Sequence, residues 1–315
     1  MAKNKIQYQR GFSLFELSDE YGTEEQCETA LLNWRWPEGF ICPNCSSDKY
    51  CKLKSRRLYQ CNNCHYQTSL TSKTLFFNTN FPLIVWFMAI YLVTQSKTSM
   101  SALELKRQLG VNYNTAWSVR HKILQAMKEH NDSQTIAGTI QLDDAYWGGE
   151  LRGGKRGRGS ENKTPFVAAI SLNEEGHPMQ MKMTVVDGFR TKTIITWSEN
   201  HIEAGSHVIS DKLPCFKGVQ DAGCSHLRIK CGGNLELLDS KEFKWVNTMI
   251  GNVKTSITGT CHSISSRHLP RYLAEFCFRF NNRFNLRKLI PLIGKVMVNT
   301  TPMPSKYLKL AETYG

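Results

Sequence analysis

No apolar run in this 315-residue chain is long enough to cross a bilayer comfortably. The longest, Phe81 to Val93, falls short of the ~20 residues that a helical span requires. With Pro82 in its first turn, it predicts a buried helix instead. The opening residues MAKNKIQYQRGF lack the apolar core of a secretory signal, so a cytoplasmic location is expected, with no membrane partner. Acidic residues are scarce: 27 Asp and Glu stand against 40 Lys and Arg, leaving a net charge of +13. An excess of that sign points to a polyanionic partner, nucleic acid ahead of membrane. No GxxxxGK(S/T) occurs, which excludes a nucleotide-binding P-loop. Regularly spaced cysteines are few. Of 11, only Cys42, Cys45, Cys61 and Cys64 form a pattern. The odd total and the expected compartment exclude a disulfide framework.

Those four cysteines carry the first positive signal. CPNC is followed by 15 residues and then CNNC. Two C-x2-C knuckles each present two thiolates, and a hairpin between them brings the pairs together around one structural Zn²⁺. Four ligands leave no open position for catalysis. Lys49, Lys52, Lys54, Arg56 and Arg57 lie on the hairpin and are read as DNA contacts.

The length allows about two domains. Residues 1–38 read as a helical lead-in, 39–72 as the zinc ribbon, 80–130 as a helix-turn-helix region, 137–300 as the largest unit, and 301–315 as a tail. In the third segment, SALELKRQLG and NYNTAWSVRHKILQAM are helical patterns joined at Gly110, with Asn112 as a cap. The second helix of such a motif enters the major groove with its early residues at the bases. These are Asn112, Tyr113, Asn114 and Thr115, with Arg120 and Lys122 nearer the backbone.

The unit at 137–300 reads as three strands, a helix, a strand, a helix, a strand and further helices. That order predicts an α/β fold, a mixed sheet flanked by helices of ribonuclease-H-like type. Asp143 lies within TIQLDDAYWGG, and Asp211 closes SHVISD. Two carboxylates on neighbouring strands can hold hard divalent ions, up to two Mg²⁺ or Mn²⁺, beside a phosphodiester. Side chains alternate along a strand. Asp144 therefore shares a face with Ile140 and Leu142, and Asp143 with Gln141. The more polar face favours Asp143. Asn247 and Lys254 are seven residues apart on a predicted helix, nearly on one face. One offers a neutral carbonyl ligand and the other a cation for phosphate. The apolar face of that helix is read as Trp245, Met249, Val253 and Ile257. The intervening loop GGELRGGKRGRGSENK, with Arg152, Lys155, Arg156, Arg158 and Lys163, is read as a DNA clamp.

The chain resembles bacterial insertion-sequence transposases of the family numbered fifteen-ninety-five. The likeness runs from about Phe12 to Leu289, through RWPEGFICPNC, CNNC, LGVNYNTAW, LDDAYWGGE, GRGSENKTP, VISD, VNTMIGNVK, GTCHSIS and YLAEFCFRFNNRF. The resemblance implies a zinc ribbon ahead of a ribonuclease-H-like catalytic domain. Such a domain cuts double-stranded DNA at inverted-repeat ends and joins the 3′-hydroxyls to a target, as a homo-oligomer on paired ends. It also implies a DDNK set: Asp143, Asp211, Asn247 and Lys254. Asn247 carries no charge, and Glu242, Asp187 and Asp144 are the alternative sources of a third carboxylate. Two other readings stay open. One is a zinc-ribbon and helix-turn-helix regulator on an inactive catalytic core, and the other is a structure-specific nuclease.

Overall fold

The first two helices begin where their caps stand. Ser13 and Glu16 form a capping box at α1 (Leu14–Tyr21), and Thr23 and Gln26 form another at α2 (Glu24–Arg35). Hairpin β1 (Tyr50–Leu53) and β2 (Leu58–Cys61), with β3 (Gln67–Thr68), makes a three-stranded antiparallel sheet. Next come α3 (Leu83–Gln95), α4 (Ala102–Leu109) and α5 (Tyr113–Asp132). The computed structural model describes residues 11–53, 56–96, 98–149, 163–229 and 243–311. It divides into two compact units, Met1–Ala126 with Arg283–Gly315, and Met127–Asn282. Among the described residues no helix is long and apolar enough to cross a membrane.

The first unit takes back the end of the chain. α10 (Leu289–Asn299) packs on α2 and α3, and the Leu75 amide donates to the Met297 carbonyl. Gln95 donates to the Leu286 carbonyl, and Arg287 pairs with Glu16 and Glu20. The boundary read at 300 therefore moves to 283, because the apolar face of α10 (Leu289, Ile290, Ile293, Met297) is buried in this unit. After it, α11 (Ser305–Leu310) buries Leu308. The packing explains Gly294, where a Cβ would lie 2.1 Å from the Trp34 ring. Trp34 is itself stacked on Phe87, at 5.1 Å between centroids, and has no room to yield. Gly294→Ala is therefore expected to destabilise this unit by about 1–3 kcal/mol, the usual cost of overpacking. A lowered denaturant midpoint would register it.

In the second unit, β4 (Thr139–Trp147), β5 (Thr164–Leu172), β6 (Pro178–Val185), β7 (His207–Asp211) and β8 (Ser225–Ile229) form one sheet of order β6-β5-β4-β7-β8. The first three strands pair antiparallel, while β7 and β8 run parallel to β4. Between β6 and β7 lies α6 (Thr191–His201), and a short 3₁₀ turn leads into α7 (Gly218–Asp221). One face of the sheet buries Ile140, Leu142 and Val208 against Ile194, Trp197, Phe216 and Val219 from these segments. α8 (Lys244–Cys261) packs on β4 and β5, and α9 (Leu269–Asn281) packs on β6. The sheet is thus the ribonuclease-H-like mixed sheet that the strand order predicts.

α6 also turns polar groups inward. Trp197, Ser198 and His201 are all buried, and His201 Nδ1 has no hydrogen-bond partner. Burial, with Lys182 nearby, pushes His201 down to about 4. The unfolded imidazole takes its proton near 6.5. Between those values the unfolded state binds more protons, so this stability is present at pH 7 and lost as pH falls through 6.5 toward 4. The loss is expected to be on the order of 2–3 kcal/mol. His201→Leu should flatten the slope of urea midpoint against pH over that interval.

Candidate functional site

The two cysteine knuckles are built alike. The Ser46 amide donates to the Cys42 carbonyl at 2.9 Å, and the His65 amide to the Cys61 carbonyl at 3.0 Å. Ser46 and His65 both take positive φ, 58° and 57°. The hairpin β1–β2 then brings the knuckles face to face, with Cys42 Sγ 3.6 Å from Cys64 Sγ and Cys45 Sγ 3.5 Å from Cys61 Sγ. All four sulfurs lie within 4.8 Å of one another. A tetrahedron with Zn–S bonds of ~2.3 Å has S···S edges of about 3.8 Å, so the donor set fits one structural zinc. The Asn63 amide donates to Cys61 Sγ, which favours the thiolate.

The hairpin cations have other work. Lys52 pairs with Glu28 at 2.8 Å, and Arg57 with Glu24 at 3.4 Å. These pairs link the ribbon to α2, and Lys52 and Arg57 remain 48% and 71% exposed. Arg56 is exposed, and Lys54 lies outside the described residues.

The helix-turn-helix pattern holds as two helices and a turn. Gly110 closes α4 in the left-handed region at φ 66°, and Asn112 Oδ1 accepts from the Thr115 amide at 2.8 Å. Asn112, Tyr113 and Asn114 are exposed and Thr115 is half-buried. Arg120 is not at the surface. It is 1% exposed, and its guanidinium donates to the Met100 carbonyl and, at 2.8 Å, to Ser99 Oγ. It ties the approach to α4 onto α5, so its reading as a DNA contact is corrected. Its place two turns into an amphipathic helix, four residues after the buried Ala116, could have flagged it. Lys122 is also buried.

In the second unit, Gln141 shares the face of β4 that alternation assigns to Asp143. It is fully buried, and its Oε1 accepts from the amides of Trp245 and Val246 at 3.1 and 3.0 Å. It therefore caps α8, satisfying amides that the first turn of a helix leaves unpaired. The same bonds dock the start of α8 on the strand that bears Asp143. Nothing local in the sequence marks a cap 104 residues away. The buried stripe of α8 is Val246, Met249, Val253 and Ile257. Val246 stands where Trp245 was expected, and the Trp245 indole donates to the Gly176 carbonyl.

The carboxylates meet where the parallel strands part. The β4–β7 ladder ends at the pair Leu142–Ser210. Asp143 and Asp144 follow on β4, and Asp211 closes β7. The carboxyl ends of parallel strands are where open α/β sheets place ligands. With no rung between the strands there, the two β4 carboxylates reach the gap although their Cβ atoms start on opposite faces. Oxygen atoms of Asp143, Asp144 and Asp211 all lie within 4.8 Å of one another. Asp144, one of the three alternative sources of a third carboxylate, belongs to this group. The Asp144 amide donates to Asp143 Oδ1, and the Leu213 amide to Asp211 Oδ1. Three converging carboxylates are a donor set for hard divalent ions such as Mg²⁺ or Mn²⁺.

Lys254 is half-buried on α8. Its pKa is lowered by burial and by Lys163, and Asp143 opposes the shift. Lys254 is thus in electrostatic range of both Asp143 and Lys163. Asn247 is half-buried on the same helix, two turns before Lys254. Arg152, Lys155, Arg156, Arg158 and Glu242 lie outside the described residues.

Residues 135–281 match the family model described as the ISXO2-like transposase domain, and residues 22–67 match the IS1595 transposase zinc-ribbon domain. The chain thus carries the zinc-ribbon and catalytic-type domains of the IS1595 transposases. Its two matched segments enclose the four cysteines, the three aspartates, Asn247 and Lys254. A relative, described as an uncharacterized protein in transposable element ISH50 of Halobacterium salinarum, is 26% identical over 178 residues. That match spans 51% of this chain and 59% of the relative.

Proposed function

We propose that this chain is a DNA transposase that binds the ends of an insertion sequence, cleaves them in a metal-dependent reaction and joins the freed 3′-hydroxyls to target DNA. The observation that carries the reading is the meeting of Asp143, Asp144 and Asp211 within 4.8 Å at the carboxyl ends of β4 and β7. A pair of divalent ions in such a site lowers the charge barrier to attack on a phosphodiester.

The residues take complementary parts. Asp143 and Asp211 hold the ions. Asp144 adds the negative charge that a neutral Asn247 lacks, and Asn247 offers its amide oxygen. Lys254, in electrostatic range of Asp143, draws the scissile phosphate in with its ammonium and offsets the carboxylates. In the first step a water oxygen bonds to phosphorus, and the bond to the 3′-oxygen breaks, leaving a 3′-hydroxyl and a 5′-phosphate. In the second, that hydroxyl attacks a target phosphodiester and displaces the target's own 3′-oxygen, so one bond is made for each broken. Sequence-specific binding falls to Asn112, Tyr113, Asn114 and Thr115 at the start of α5. A homo-oligomer would hold two ends together.

The purified chain, incubated with end-derived duplexes and Mg²⁺ or Mn²⁺, is expected to give nicked products with 3′-hydroxyls and then joined products. A shift of the DNA without strand scission in either metal would replace this reading with that of a DNA-binding regulator. Scission without joining would leave a nuclease.

A further inference from the structure

The first unit contains a cavity of about 450 Å³ along one face of α5. Thr115, Ser118, Val119 and Lys122 follow one another along that face, and Asn78–Phe81 form the opposite wall. Among the described residues no Asp or Glu lines it. Lys122 is 9% exposed. Its ammonium makes one long hydrogen bond, 3.4 Å, to the Phe77 carbonyl, and lies 5.7 Å from the centre of the Trp86 ring. Neither contact neutralises it, and among the described residues no carboxylate forms an ion pair with it. Burying a cation without an anion is costly. Arg120, two residues earlier, is deeper still, but Met100 and Ser99 hold its guanidinium. Burial alone pushes Lys122 down to about 8, so it remains mostly charged at neutral pH.

We propose that this cavity is a phosphate seat, in which one backbone phosphate of bound DNA takes Lys122 as its counter-ion. The inference rests on the reading of the chain as DNA-binding and adds a site to it. Lys122 lies seven residues beyond Thr115, about 10 Å along the helix axis. That offset is comparable to the ~12 Å width of the major groove. Residues at the start of α5 can therefore meet base edges while Lys122 meets the flanking backbone. The amides of Asn78 and Asn80 and the hydroxyl of Ser118 supply neutral donors around the same space. A phosphate oxygen would provide the anion that the protein itself withholds.

The test compares the full chain with Lys122→Met, which keeps the length of the side chain and removes its charge. Duplex affinity is expected to fall about tenfold at moderate salt. The slope of log K against log salt is expected to shrink by about 0.9, the value of one neutralised phosphate. The DNA-free variant should melt at a higher temperature than the wild type, because it no longer buries an unpaired cation. A lysine kept for structure would do the opposite. In a second arm, inorganic phosphate at fixed ionic strength should raise the melting temperature of the wild type and leave the variant unchanged.

Wild-type affinity and slope in Lys122→Met would overturn the seat while leaving DNA binding in place. A phosphate response with unaltered duplex binding would show that the anion is free phosphate, and would overturn the assignment to DNA. If the variant does not fold, the wild-type phosphate arm decides: no shift against chloride overturns the seat. Failure of the wild type to bind any duplex would instead strike the DNA reading itself.

Discussion

Asp211→Asn and Asp143→Asn are each expected to remove strand cleavage and joining, by a factor on the order of 10³ or more, while end binding persists. Either change keeps the volume of the side chain and deletes one of three charges at the gap between β4 and β7. The Leu213 amide donates to Asp211 Oδ1 and the Asp144 amide to Asp143 Oδ1, and an Asn carbonyl can accept the same bonds. The local backbone should therefore hold, and the effect should be electrostatic. Asp144→Asn should cost less than either if it only adds charge, and as much if it is a direct ligand. The assay is single-turnover cleavage of an end-derived duplex, with gel shift and circular dichroism as controls. Wild-type cleavage in both Asp143→Asn and Asp211→Asn would remove the basis for the proposed chemistry. Because α8 is docked through Gln141 on the same strand, an intact far-ultraviolet spectrum is needed before a lost rate is assigned to charge.

Removal of zinc, by a strong chelator or by Cys61→Ser, is expected to unfold the ribbon. Its sheet has strands of only four, four and two residues, too little to stand on its own. Few large side chains beyond Trp36, Phe40 and Tyr59 pack there. Metal binding in small structural sites contributes about 10–16 kcal/mol of apparent free energy. Little else in the ribbon could replace that. Near-ultraviolet signal from Trp36 and Tyr59 should collapse on chelation and return with Zn²⁺. The second unit has its own core and should keep its stability. A ribbon that keeps its tertiary signal in metal-free buffer would contradict the structural role.

Much of this was legible in the residues themselves. Two C-x2-C pairs at hairpin separation specify a tetrahedral thiolate site, because the chemistry needs four sulfurs and the spacing supplies a turn for each pair. The strand-like runs at 138–147 and 166–172 are paired strands, and Asn112 caps the helix it precedes. Four features were not legible. Alternation puts Gln141 on the more polar face of β4, and only the docking of α8 reveals it as a buried cap. Arg120 read as a backbone contact because its charge is visible and its burial is not. The closing helix at 289–299 gave no sign that it returns to α2 and α3. Asp144 stood beside Asp187 and Glu242 as an alternative third carboxylate, because alternation assigns it the apolar face and no local pattern chooses among the three.

The sequence by itself determined the local elements, the zinc ligands and the two strand-borne aspartates, since caps, turn residues and side-chain period act within a few residues. Only the tertiary structure decided which charges face one another. The β4–β7 ladder stops at Leu142 and Ser210, and three carboxylates from two strands share the gap that this leaves. Convergence of that kind depends on strand order and register over nearly seventy residues, and no local pattern in the chain encodes it.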